Sequence, residues 1–151
     1  SSKTLDFPEL EGRREGAAAM LAFREDYAGD RVLALMAGLL MMVYAAFEDN
    51  DDFYVLDDLN EQKLYNCARN LEIAMWKLGT ARYPGGELML LSNELDPANR
   101  NLSFEREFGR ITGVLDFLAK VVADKHGRII SRVAQNMATA VFLPVGLLGI
   151  K

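Results

Sequence analysis

An uninterrupted apolar stretch, VLALMAGLLMMVYAAF at residues 32–47, constrains the fold of this chain more than any other feature. Its sixteen residues carry no charge, and Asp30 stands where the N-cap of a helix is expected. A helix of that length rises about 24 Å, which is short of the roughly 30 Å of a bilayer core. Acidic groups flank both ends, and no cluster of Lys or Arg sets an orientation. We therefore predict a central core helix over about 31–48 rather than a membrane span.

The rest of the chain shows the three-and-four spacing of helices and no alternation of the kind that a sheet needs. The clearest example follows Ser103, where apolar side chains recur at spacings of four and three through Val122. The sequence predicts an all-α, single-domain bundle of five to six helices over residues 1–151, built around the 31–48 helix. Residues 1–8 are expected to be flexible and residues 143–151 to form an apolar tail. The other helices are predicted over about 9–26, 59–79 and 87–95, and from about 130 to Pro144.

Length and composition bound the class of protein. The chain has 151 residues, of which half are hydrophobic and 26% are charged, so one globular domain with its own core is expected. The single cysteine, Cys67, cannot form an internal disulfide, and no secretory signal is recognisable, so we expect a cytoplasmic location. The net charge is −9 over residues 1–99 and +4 over residues 100–151. We expect these two parts to pair with each other rather than with a nucleic acid.

The acidic stretch EDNDDFYVLDD, residues 48–58, follows the apolar run directly. An EF-hand calcium loop needs a glycine at position 6 and a bidentate glutamate at position 12. Counted from Asp49, position 6 is Tyr54 and position 12 is Asn60, so the pattern fails where its geometry is strictest. We expect no metal site and no cofactor, with a looser divalent-cation site on Asp49, Asp51 and Asp52 as the alternative.

Two aromatic residues, Phe53 and Tyr54, lie among these carboxylates. Aromatic side chains at such a position either belong to the core or anchor a partner, and the surrounding acids would steer a basic partner. We therefore predict a non-enzymatic protein–protein interaction module of adaptor, chaperone or inhibitor type. Its predicted partner-binding residues are Glu48, Asp49, Asp51, Asp52, Phe53 and Tyr54.

The methionines of the apolar helix support an alternative hypothesis. Met36, Met41 and Met42 have soft, adaptable side chains that can line a groove for an apolar ligand or a partner helix. Methionine within a helix is more often a filler of the core. The alternative function is therefore a helical bundle that binds an apolar ligand or a membrane surface beside the 32–47 helix.

The apolar C-terminal tail adds two further alternatives. The chain could be the soluble part of a membrane-associated protein, or a homo-oligomer formed through the C-terminal helices or the tail. FLPVGLLGI, residues 142–150, is similar to a piece of the first membrane helix of CorA-type magnesium channels. The similarity covers nine residues, and the Gly-Met-Asn signature that follows in that family is absent, so no family is assigned.

No catalytic constellation is apparent in the sequence. His126 is the single histidine, so motifs that need two histidines on a metal cannot form. Cys67 lies on the apolar stripe of its predicted helix, which is typical of a buried and inert thiol. The glycine pair in YPGGE lacks the Lys-Ser or Lys-Thr of a phosphate-binding loop. We therefore predict no enzymatic activity.

Overall fold

The computed structural model describes residues 5–48, 59–90, 102–137 and 139–146, and for residues 102–105 it describes the main chain only. Within these ranges the chain is helical, with four α-helices and no strand. The predicted all-α class is confirmed and the chain forms a single helical domain, but the predicted number of five to six helices is wrong. The helices are α1 (Glu15–Leu21), α2 (Arg31–Ala46), α3 (Glu61–Thr80) and α4 (Leu102–His126).

The apolar helix α2 begins at the predicted cap. The carboxylate of Asp30 accepts a hydrogen bond from the main-chain N–H of Leu33 at 2.9 Å, which satisfies a free donor of the first turn. In the middle of α2, a Cβ on Gly38 would overlap the main chain of Ala19 in α1. Because glycine leaves that space empty, α1 packs directly against the middle of α2.

The middle element of the core is α3, which packs against α2 and against α4. Its N-cap is Asn60, whose side-chain oxygen accepts hydrogen bonds from the main-chain N–H groups of Gln62 and Lys63. Asp58, which stands three residues before Glu61 as in a capping box, lies outside the described residues. Because α1 and α3 cover only part of α2, the described residues do not surround α2 on all sides. Val32, Met36 and Leu40, at spacings of four, are exposed to solvent.

The predicted first helix, over 9–26, is interrupted. A short 3-10 turn at Pro8–Leu10 precedes α1, and residues 11–14 between them are not helical. Glu11, Gly12 and Glu15 have φ values of 53°, 70° and 48°, in the left-handed region. A right-handed helix cannot continue through such residues, so α1 is only seven residues long.

Two further predicted helices are corrected. Residues 87–90 form a turn region after α3 instead of starting a helix, and residues 91–95 lie outside the described ranges. The helix predicted from about 130 to Pro144 is wrong, because residues 128–137 and 139–146 are not helical. We call these two ranges the C-terminal segment. Gly127, at φ 62°, ends α4, and the main chain of the segment then binds side chains of α3 at Ser131, Leu143 and Pro144.

Candidate functional site

An apolar groove, the α2–α4 groove, opens between these two helices and has a volume of about 690 Å³. Leu71 contributes to it from α3, which lies between the two walls, and the N-terminal residues Leu5 and Phe7 also line it. Glu107 adds one carboxylate to the lining. The groove is thus built from long apolar side chains of three helices. Those from the two walls are Leu33, Met36, Leu39, Leu40, Val43, Phe108 and Ile111.

Large apolar side chains on both walls of this groove are exposed. Met36 is 48% exposed and Leu40 42% exposed on α2, and Ile111 is 44% exposed on α4. Val114 and Phe117 on α4 are also exposed, at 56% and 67%, but Phe117 lies six positions from Ile111 and so faces another side of the helix. Monomeric proteins rarely present a continuous apolar patch of this kind unless it binds something. The described residues leave this surface uncovered.

A polar rim borders the groove. The carboxylate of Glu107 accepts a hydrogen bond from the guanidinium of Arg110, one turn further along α4, at 3.1 Å. Because both side chains are well exposed, this pair contributes little to stability. An apolar centre with charged groups at its edge is the usual arrangement of a protein–protein interface.

The three methionines singled out from the sequence lie in three different environments. Met36 lines the α2–α4 groove. Met42 is 1% exposed, and its sulfur accepts a hydrogen bond from the side-chain amide of Asn70 at 3.0 Å. Met41 is also buried, and its sulfur accepts one from the main-chain N–H of Glu15 at 3.4 Å. Residues five or six positions apart on a helix face different sides, so the structure does not bring these three together.

Of the predicted partner-binding residues, only Glu48 lies in the described ranges. Its carboxylate pairs with the ammonium group of Lys63 at 2.8 Å, and the Lys63 side chain is only 7% exposed. Glu48 therefore neutralises a buried charge at the start of α3. Asp49, Asp51, Asp52, Phe53 and Tyr54 lie outside the described residues, so their role in binding a partner stays a prediction.

Three side-chain amides of α3, which we call the amide row, were missed in the sequence. Gln62, Asn66 and Asn70 recur every four residues and so share one face of the helix. Asn70 is fully buried; its amide donates to the carbonyl of Leu143 at 2.8 Å and its oxygen accepts from the Leu143 N–H at 2.6 Å. Asparagine is a poor helix former, so two of them, evenly spaced among apolar residues, were the available signal.

The other two amides hold the C-terminal segment in the same way. Gln62 donates to the carbonyl of Ser131 at 3.0 Å and accepts from its N–H at 2.8 Å. Asn66 donates to the carbonyl of Pro144 at 2.8 Å and accepts from the Gln62 amide at 2.9 Å. In addition, the Glu15 carboxylate accepts a hydrogen bond from the Gly146 N–H at 3.1 Å. Apart from the hydrogen bond between Gln62 and Asn66, all of these contacts are to main-chain groups of the segment.

A second cavity, of about 730 Å³, lies where α1, α2 and the C-terminal segment meet. Its lining mixes charged side chains, among them Glu15 and Lys63, with apolar ones such as Met41 and Phe142. Because Glu15 already binds Gly146 and Lys63 already pairs with Glu48, two of its charged groups are engaged within the chain. This cavity therefore offers a ligand fewer free groups than its lining suggests.

The ionisable groups that are suited to chemistry, Cys67 and His126, lie apart from the α2–α4 groove. Cys67 is buried, and its burial, followed by the charge of Glu15, raises the pKa of the thiol to about 12, so the thiol is protonated at neutral pH. His126 lies at the end of α4, its Nδ1 3.8 Å from a carboxylate oxygen of Glu61. Arg128 approaches the same oxygen to 3.5 Å. In the described ranges, no three His, Cys, Asp or Glu side chains are grouped so as to hold a metal ion.

No protein-family model, curated protein or solved structure matches this chain. No helix in the described ranges has both the length and the apolarity needed to cross a bilayer.

Proposed function

We propose that this chain is a non-enzymatic, cytoplasmic protein-interaction module that binds an amphipathic helix of a partner protein in the α2–α4 groove. The observation that carries the proposal is the exposed apolar surface of the described residues. It runs from Met36 and Leu40 on α2 across the groove to Ile111 on α4. Burying it in a complex would remove apolar area from water, which is the main driving force of protein association.

The shape of the surface favours a helix over a small apolar ligand. A lipid-like molecule is usually enclosed, whereas here the outer wall side chains are close to half exposed. Met36 and Leu40 lie one turn apart on α2, and Phe108 and Ile111 lie one turn apart on α4, so each wall of the groove runs along its helix. An elongated groove between two helices accepts apolar anchors at i, i+3 or i+4, and i+7 of a third helix. Met36 can adapt to such anchors because its side chain is unbranched.

A selection experiment tests this proposal without a known partner. A displayed library of amphipathic helical peptides is selected against the wild-type chain and counter-selected against a double variant, Met36→Lys with Ile111→Lys. We expect enriched peptides with apolar residues at helical spacing, and at least tenfold weaker binding to the double variant, because two ammonium groups would have to be buried against them. The matched control is Ile129→Lys, since Ile129 is 93% exposed and lies outside the groove.

Three outcomes contradict the proposal. The first is that enriched peptides bind the double variant and the wild-type chain equally well. The second is that the wild-type chain sediments with vesicles of phosphatidylcholine and phosphatidylglycerol while the double variant does not, which would make the groove a membrane-binding surface. The third is that native mass spectrometry shows one bound palmitate per chain, displaced by the two lysines, which would make it a lipid site.

A further inference from the structure

The amide row of α3 binds the C-terminal segment through a kind of contact that does not depend on sequence. Each hydrogen bond from Gln62, Asn66 and Asn70 to the segment ends on a main-chain N–H or carbonyl. A primary amide carries one acceptor and two donor hydrogens, so it can satisfy both groups of an extended residue. The row therefore acts as a receptor for extended main chain, in which Ser131 and Leu143 each have both main-chain groups bound.

Side chains of the segment also pack in the site and make it selective for their shape. Val145 is fully buried, and Phe142 packs against the core. Phe142 lies over Gly16 in α1, where an added Cβ would come within 2.8 Å of the phenylalanine Cβ. The site thus accepts an extended peptide with an aromatic side chain followed, three residues later, by a small branched one.

The connection that delivers the segment to the site is much longer than the site requires. Ser131, held by Gln62, and Leu143, held by Asn70, are twelve positions apart in the sequence. An extended chain of that length reaches about 40 Å. The two amides that hold its ends are eight residues apart on α3, or about 12 Å. The segment can therefore leave its site, and reach another molecule, without unwinding α4.

Exposed apolar side chains in this connection indicate that it is not fully packed against the rest of the chain in the monomer. Val133 and Val141 are 49% and 66% exposed, although both are apolar. None of the amide hydrogen bonds requires that the segment and α3 belong to the same copy. The segment that occupies the site in the structure is this chain's own. A second copy of the chain therefore supplies a ligand of the right chemistry.

We propose that residues 139–146 are a built-in, displaceable ligand of the amide row, and that the same residues of a second copy occupy the site in exchange. The link through residues 132–138 keeps the resident segment at an effective concentration in the millimolar range. Exchange therefore becomes visible when the resident is weakened or the protein is concentrated. This inference concerns the face of α3 away from the α2–α4 groove and does not depend on what the groove binds.

The test uses the full-length chain and a fluorescein-labelled peptide of residues 139–146, TAVFLPVG, as the probe for a second copy's segment. The variant Leu143→Pro removes, in the resident segment alone, the N–H that donates to Asn70. We expect the peptide to bind this variant at least tenfold more tightly than it binds the wild-type chain, because the competing resident is weaker. A peptide with an N-methyl group on Leu143 is the matched control and should bind at least tenfold more weakly.

Equal affinity of the two peptides for the folded variant, or no saturable binding at about 1 mM, would overturn the proposal. If the variant does not fold, hydrogen exchange of the wild-type chain decides. Faster exchange at Leu143 and Gly146 than at Leu71 shows that the segment leaves by itself; equal rates show that it leaves only on global unfolding and overturn the proposal. Light scattering then tests the second copy: we expect dimers of the wild-type chain near 1 mM, and a strictly monomeric chain would contradict exchange.

Discussion

The two long helices differ in how they use the face that is turned away from their common contact. On α3, that face carries polar amides, and the chain's own C-terminal segment covers them. On α4, it carries Val114 and Phe117, which no described residue covers. Each helix therefore packs one apolar face into the core. The opposite face is polar and covered on α3, and apolar and exposed on α4.

This difference shows which surface stabilises the domain and which is available for binding. A buried amide that is fully hydrogen-bonded fixes its partner strongly, because separation leaves unsatisfied donors and acceptors. An exposed apolar side chain adds little to the stability of the free protein. It contributes favourable free energy only when a partner removes it from water. Substitutions in the α3 face are therefore expected to destabilise the fold. Substitutions in the α4 face and the α2–α4 groove are expected to leave the fold stable and to weaken binding.

The largest expected effect is on the α3 side. Asn70→Ala should lower the free energy of unfolding by about 2 kcal/mol, because both main-chain groups of the partly buried Leu143 lose their partner and the site of the fully buried Asn70 amide is left empty. Gln62→Ala is the matched variant and should cost about 1 kcal/mol, because Ser131 is exposed and water can replace the amide. Urea denaturation measures both. Equal costs would show that the segment is not held chiefly at Leu143.

The enclosure of α3 also predicts a pH dependence through Cys67. Burial raises the pKa of the thiol from 9.0 to about 12, so the folded state holds this proton more tightly than the unfolded state. Its contribution to stability is complete below pH 9 and is lost as the pH rises towards 12, by about 2 kcal/mol at pH 10.5. Comparison of wild type with Cys67→Ala over this range isolates the effect. A parallel pH profile for the two would show that water reaches the thiol.

A matched pair of glycine substitutions compares a covered helix with an uncovered one. Gly38→Ala should cost about 2 kcal/mol, because the new Cβ overlaps the main chain of Ala19. Gly113→Ala in α4 meets nothing within 4 Å and should stabilise the chain by about 0.5 kcal/mol through helix propensity. Thermal unfolding with calorimetry measures both signs. Destabilisation by Gly113→Ala would mean that another part of the chain packs on the outer face of α4.

The smallest effects concern two glutamates in ion pairs. Glu48→Gln should lower the free energy of unfolding by about 1 kcal/mol, since it leaves the buried Lys63 without its counter-charge while Glu48 itself is one-third exposed. Glu107→Gln, in the exposed pair with Arg110, should change it by less than about 0.5 kcal/mol. Denaturation at low and at high salt measures both. An equally small effect at Glu48 would show that Lys63 is better solvated than its burial indicates.

Local signals in the sequence predicted the helices whose hydrogen bonds stay within one element. Asp30 as an N-cap and the regular apolar spacing after Ser103 placed α2 and α4 close to their observed bounds. The helix predicted from about 130 to Pro144 failed for the opposite reason. Its periodic spacing is real, but its main chain binds side chains of α3 that lie 69 to 78 residues earlier in the chain. A competition over that distance leaves no local trace.

The candidate site was predictable to the same extent. The alternative hypothesis of an apolar groove beside the 32–47 helix named Met36, Met41 and Met42, and of these three Met36 lines the α2–α4 groove. The sequence could not separate Met36 from Met42, because α2 is apolar on every side and only the packing of α1 and α3 decides which side remains open. The amides of α3 were visible as residues, but their ligand is main chain, which has no sequence signature.

The most direct test of the α2–α4 groove compares the oxidation of the methionines of α2 within one sample. Limited oxidation by hydrogen peroxide, followed by mass spectrometry, reports the exposure of each sulfur. We expect Met36, which is 48% exposed, to oxidise readily in the free chain while Met41 and Met42, at 4% and 1%, stay protected. A peptide selected for binding should then protect Met36. Protection of Met36 in the free chain, to the same degree as Met42, would show that the groove is already filled and would contradict the account.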